Sequence, residues 1–187
     1  FTVITVAPSD TNWLYAASHS AFYRSSNGGK NWQKLWRAEE ETWGPEGLLI
    51  GFPISIAVHP TNKLKVYINN YGGGAFISDD GGTTWTRVTQ TTAGTIASGG
   101  TANIDGVNSM AVWNGNLFIG TYEGNGTEIY RYDGGTTWTK VSQTTAGTIA
   151  SGGSSGIDGV SAMAVYNNAL YIGVEEGNGA EVYRYDG

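Results

Sequence analysis

Trp32, Trp85 and Trp138 each close a short glycine-rich segment, and successive ones stand 53 residues apart. The segments read Ser25-Ser26-Asn27-Gly28-Gly29-Lys30-Asn31-Trp32, Ser78-Asp79-Asp80-Gly81-Gly82-Thr83-Thr84-Trp85 and Arg131-Tyr132-Asp133-Gly134-Gly135-Thr136-Thr137-Trp138. A fourth copy opens at Arg184-Tyr185-Asp186-Gly187, with Asp186 again 53 residues after Asp133. A fixed period of this size marks stacked, self-similar units rather than one irregular core. The last two repeats are close copies: Gly81–Asp133 and Gly134–Asp186 differ at 15 of 53 positions.

Composition tells what each unit is made of. There are 29 glycines in 187 residues, 12% aromatic residues and only 14% charged ones. That mixture suits many short strands joined by tight turns. The formal net charge of −6 argues against a nucleic-acid or anionic-membrane partner, both of which need a basic surface. Cysteine is absent, which excludes disulfides and thiolate metal sites. No apolar run has the length of a transmembrane helix.

Within the third repeat, strands are expected at Ser109–Trp113, Leu117–Tyr122, Glu128–Tyr132 and Thr137–Ser142, bounded by Asn-Gly, Gly-Asn-Gly and Asp-Gly-Gly turns. Four antiparallel strands in a repeat of this length make a β-propeller blade. The expected fold is therefore all-β: a single propeller segment with blades at about 1–37, 54–90, 108–143 and 160–187, the last without its outer strand. That amounts to about three and three-quarter blades, so further blades or self-association are expected to close a ring.

Each glycine-rich segment falls at the hairpin between the third and fourth strands of its blade. Asn27, Asp80 and Asp133 are expected to accept hydrogen bonds from backbone N–H groups of their own turns. Gly29, Gly82 and Gly135 supply backbone freedom, and Trp32, Trp85 and Trp138 offer rings to pack between neighbouring sheets. Ser25, Ser78 and Asp186 complete this structural set.

Ser78–Trp85 matches the pattern Ser-x-Asp-x-Gly-x-Thr-Trp at every defined position. The chain thus resembles the BNR/Asp-box propellers of sialidases, xyloglucan-degrading glycosidases, sortilin-type receptors and photosystem assembly factors. A likeness to sialidases implies an arginine cluster and a Tyr–Glu pair. Here Arg24, Arg131 and Arg184 fall on third strands and Arg87 on a fourth, so no such cluster is read. The strands ending in Val6-Ala7-Pro8 and Val58-His59-Pro60, with Tyr71-Gly72-Gly73-Gly74-Ala75-Phe76, are similar to the xyloglucanase group. That likeness implies two catalytic aspartates from separate propellers, and neither is matched to a residue of this chain.

Binding is expected on the long loops, at the blade ends opposite the Asp-box turns. The loop Ala38–Glu46 gathers Glu39, Glu40, Glu41 and Glu46 around Trp43. It reads either as a sugar subsite, with a glutamate as acid or base, or as a solvated acidic loop. Tyr71, Asp105, Glu123, Asn125, Asp158, Glu176 and Asn178 are the other binding candidates. Recurring Asp and Glu corners would suit Ca²⁺ through oxygen ligands or simple Asx-turns; no other cofactor is expected. Near-identical blades present equivalent surfaces, which suits multivalent recognition better than an asymmetric catalytic cleft. The function expected is a non-catalytic, extracellular or cell-surface propeller for a glycan or protein partner, or a structural module of a larger assembly. The alternative is part of a glycoside hydrolase.

Overall fold

A computed structural model describes residues 1–19, 21–37, 53–70, 74–89, 96–97, 104–122, 126–145, 147–151, 153–177 and 179–187. The chain divides into two compact units, Phe1–Val88 and Thr89–Gly187.

The first unit holds two sheets of four antiparallel strands each. One is β1 (Val3–Val6), β2 (Leu14–Ala17), β3 (Ala21–Ser25) and β4 (Gln33–Arg37), in that spatial order. The other is β5 (Pro53–His59), β6 (Asn62–Asn70), β7 (Gly74–Ser78) and the two-residue β8 (Thr86–Arg87). Strand alternation gives each sheet two faces. Tyr15, Ala17 and Phe22 of the first sheet form a core with Ile56, Val58, Val66, Ile68 and Phe76 of the second. Fully burying an aliphatic or aromatic side chain of this size contributes about 1.5–3 kcal/mol, so this face carries most of what holds the pair together.

Polar contacts fix the register between these two sheets. The Tyr15 hydroxyl donates to the Lys63 carbonyl at 2.6 Å, and Lys63 pairs with Asp10 at 2.8 Å. The second glycine-rich turn fits against the first sheet so closely that a Cβ on Gly82 would run into the Phe22 ring. Gly82 also has φ +90°, a backbone conformation that side chains disfavour.

The second unit contains β9 (Gly106–Trp113), β10 (Asn116–Tyr122), β11 (Ile129–Gly134) and β12 (Thr137–Lys140), then β13 (Gly159–Tyr166), β14 (Ala169–Glu176) and β15 (Gly179–Tyr185). Two-residue turns with both φ values positive join β9 to β10 (Asn114, Gly115) and β13 to β14 (Asn167, Asn168), the primed geometry that matches strand twist. One bridge between Tyr122 and Gly159 joins the two groups of strands into a single sheet. Ala111, Trp113, Phe118 and Ile129 of the first group pack on Leu170, Ile172 and Val174 of the second. The rings of Trp113 and Tyr185 meet edge-on at 5.4 Å.

Register shows that the units stack their blades in opposite order. Val66 pairs with Ser78 and Phe118 with Arg131, 53 residues on, so Phe118 stands where Val66 stands. In the first unit the later blade uses this face, against Tyr15 and Phe22. In the second unit the earlier blade uses it, against Leu170 and Ile172. Val182, which occupies the position of Ile129, is consequently left 75% exposed.

Candidate functional site

The three glycine-rich turns differ in how they are held. In the second, the Ser78 hydroxyl accepts the Gly82 N–H at 2.8 Å and donates to Asp80 Oδ1 at 2.8 Å. Asp80 also accepts the N–H groups of Thr83 and Thr84, each at 2.9 Å, and the Thr84 hydroxyl at 2.7 Å. Desolvation works against its charge, but the hydrogen bonds from Thr84, Ser78 and Thr83 outweigh it and hold the Asp80 pKa at about 2. The first turn repeats this with an amide: Ser25 accepts the Gly29 N–H at 3.0 Å, and Asn27 Oδ1 accepts the Asn31 N–H at 2.9 Å.

The third turn departs from the expectation for Asp133. Its carboxylate bonds Arg131 Nε at 2.8 Å and the Thr139 hydroxyl, not its own turn N–H groups. The cause is the residue two places earlier. Arg131 replaces the serine, so no hydroxyl gathers the turn, and β11 runs on through Asp133 to Gly134. Asp186 follows the same rule, 2.9 Å from Arg184.

The tryptophans diverge as well. Trp85 packs edge-on against Phe22 of the neighbouring sheet, with ring centroids 5.2 Å apart. Trp138 instead lies buried against Tyr132 of its own hairpin, at 5.0 Å. Trp32 is 37% exposed and borders a groove of about 300 Å³. Trp13, Arg24, Ser26, Asn27, Asn31 and Gln33 form the rest of its walls. Two local features build it. The Gly28 N–H donates to the Asn12 carbonyl at 2.9 Å, tying the turn to the segment that carries Trp13. Arg24 is fixed by Gln33 Oε1 at 2.9 Å, by the Gly81 carbonyl at 3.1 Å and by the Trp13 ring at 5.3 Å.

This groove is built from the first glycine-rich turn, the strands it joins and the segment that carries Trp13. Trp13, Arg24, Asn31 and Gln33 were not among the residues singled out from the sequence. The available signal was local: the first turn has Asn27 and Asn31 where the second has Asp80 and Thr84.

Of the loop candidates, Glu39, Glu40, Glu41, Trp43, Glu46, Tyr71, Glu123, Asn125 and Asn178 lie outside the described residues. Asp105 and Asp158 sit just before β9 and β13, where their N–H groups donate to the carbonyls of Tyr122 (3.1 Å) and Glu175 (3.0 Å). Glu176 ends β14. Among the described residues no group of three His, Cys, Asp or Glu side chains is placed to hold a metal ion.

Two carboxylates near the loop ends are firmly engaged. Glu128 is buried, with Lys140 and the Tyr130 hydroxyl on its oxygens. Its repeat partner Glu181 accepts from the Tyr183 hydroxyl and, at 3.1 Å, from Ser154 in the loop before β13. The Tyr183 hydroxyl foremost holds the Glu181 carboxyl below its ordinary range. Desolvation first, then that carboxylate, pushes the Tyr183 hydroxyl up to about 12.

No family model and no curated protein matches the sequence. Solved structures do match the fold. The GH74 enzyme of Niastella koreensis superposes with TM-score 0.68 at 19% identity, over 98% of this chain and 28% of that one. The GH74 xyloglucanase of Xanthomonas campestris gives 0.65 at 18%, over 99% and 29%. The extracellular domain of a putative one-component system from B. thetaiotaomicron gives 0.60 at 17%, over 98% and 21%. The chain spans less than a third of the length of each of these proteins. At such identities the likeness concerns architecture, and with the antiparallel sheets described above it establishes an all-β chain built of β-propeller blades.

Proposed function

We propose that this chain is a non-catalytic propeller module, extracellular or at the cell surface, that recognises a glycan or protein partner or forms a structural part of a larger assembly. The carrying observation is the state of the carboxylates. Asp80, Asp133, Glu128 and Glu181 each accept hydrogen bonds from neighbouring side chains that hold them in place. A carboxyl group whose oxygens are taken up by neighbouring side chains is poorly suited to act as a general acid or base on a substrate. The groove beside Trp32, by contrast, contains no carboxylate and several side-chain amides. The likeness to an extracellular domain supports the location, and the likeness to YCF48 bound to D1 peptide (TM-score 0.53) supports a protein partner as one arm.

Self-association or pairing with further blades belongs to the same reading. Ile4, Val6, Tyr166 and Val182 are exposed, whereas the residues at equivalent register, Ile56, Val58, Trp113 and Ile129, are buried between blades. A second reading, part of a glycoside hydrolase, is favoured by the GH74 likeness and by the acidic loop around Trp43. Native electrophoresis of the whole chain in gels cast with single polysaccharides tests the first reading. Retardation by a polysaccharide supports it. If every polysaccharide leaves mobility unchanged, the chain captures no peptide from a random display library and it sediments as a monomer, the reading fails.

A further inference from the structure

We propose that the groove between Trp13 and Trp32 is a subsite for one or two rings of a neutral saccharide, an inference that rests on the binding-module reading and sharpens it. Trp32 and Trp85 occupy the same place in successive turns, yet only Trp85 has its ring covered by an aromatic neighbour, Phe22. The Trp32 indole is left open on the groove. An indole face is a large apolar plate with a negative quadrupole, suited to the C–H face of a pyranose.

The polar groups supply the rest. Asn27 Nδ2, the Asn31 amide, Gln33 Nε2 and the two indole N–H groups have no hydrogen-bond partner among the described residues. Ligand sites pair an apolar wall with a few placed polar groups, and side-chain amides suit hydroxyls because each both donates and accepts. The volume of about 300 Å³ is at the small end of the range for ligand pockets, which limits the occupant to one or two rings.

Charge decides between neutral and acidic sugars. Arg24 is the only cation on the groove walls. Its guanidinium is already engaged by the carbonyls of Asp80 and Gly81 and by Gln33 Oε1. It acts as a fixed part of the wall rather than a free fork for a carboxylate. Lys63, 4.4 Å over the other indole, Trp13, is paired with Asp10.

Isothermal titration of the whole chain with neutral gluco-, xylo- and manno-oligosaccharides, and with uronic-acid oligosaccharides of equal length, tests the proposal. At least one neutral series is expected to bind, with tenfold or greater loss in Trp32→Ala and in Asn31→Ala and little change in Trp138→Phe. Near-ultraviolet circular dichroism of each variant shows that it is folded. Binding that survives both groove substitutions overturns the groove assignment and leaves the binding-module reading standing. Binding confined to the uronic-acid series overturns the neutral class. Failure of every oligosaccharide to bind overturns the inference, and with it the glycan arm of the module reading alone.

Discussion

Phe22 and Gly82 are in contact across two blades: the aromatic ring occupies the space that any side chain at position 82 would need. The turn is therefore shaped by the sheet beside it as much as by its own hydrogen bonds. The Gly135 turn has nothing within 4 Å of the equivalent Cβ position.

That contrast gives a first expectation. Gly82→Ala adds both backbone strain and a clash, and should destabilise the chain by about 2–4 kcal/mol. Gly135→Ala, at φ +59° in open space, should cost about 1 kcal/mol. Urea denaturation of the two variants compares them directly.

Asp80 sets a pH dependence. Its folded pKa of about 2 lies below the unfolded value of about 3.9. A depressed pKa contributes stability that is complete above the unfolded value and is lost as pH falls toward the folded one. The wild-type chain should therefore lose stability between about pH 4 and 2. Asp80→Asn should flatten that part of the profile while keeping one acceptor for the turn, as Asn27 does. Asp80→Ala should cost about 1–2 kcal/mol at neutral pH, measured by thermal denaturation across the pH series.

The buried Glu128 depends on Lys140, whose side chain is 25% exposed against 2% for the carboxylate. Lys140→Met strands a charge away from water and should destabilise by about 3 kcal/mol. Replacing both residues, Glu128→Gln with Lys140→Met, should recover part of the loss. Equilibrium unfolding of the two single variants and the double variant closes the cycle.

Ile129 and Val182 occupy the same place in successive repeats, yet one is 1% exposed and the other 75%. Ile129→Ala should cost about 2–4 kcal/mol and Val182→Ala less than about 0.5 kcal/mol in the dissociated chain. If self-association covers Val182, the second variant should instead shift the sedimentation profile toward smaller species.

The blades were legible because their signals are local. A 53-residue period, Asn-Gly and Asp-Gly-Gly turns and alternating apolar residues mark strands without knowledge of what lies across from them. The bonding of Asp80 was legible for the same reason, since Ser78, Thr83 and Thr84 are its neighbours in sequence. Asp133 departs from its expected bonding because Arg131 in the serine position alters the turn, a substitution visible in the chain. The fates of Trp32, Trp85 and Trp138 were not legible. Similar motifs carry all three rings, and what covers each lies outside the repeated pattern: Phe22 of the neighbouring sheet for Trp85, and Tyr132 of the same hairpin for Trp138. Arg24 was read only as a third-strand residue, because its partners Asp80 and Gly81 lie a whole repeat away.

The central claim is that this propeller module binds without cleaving. The most direct test incubates the whole chain with a polysaccharide panel and measures, in the same samples, retained polysaccharide and newly formed reducing ends. The account predicts retention with reducing ends at the level of a protein-free control. Reducing ends that rise with protein concentration, and disappear when Glu39, Glu40, Glu41 and Glu46 are changed to glutamine, would contradict it and establish the hydrolase reading.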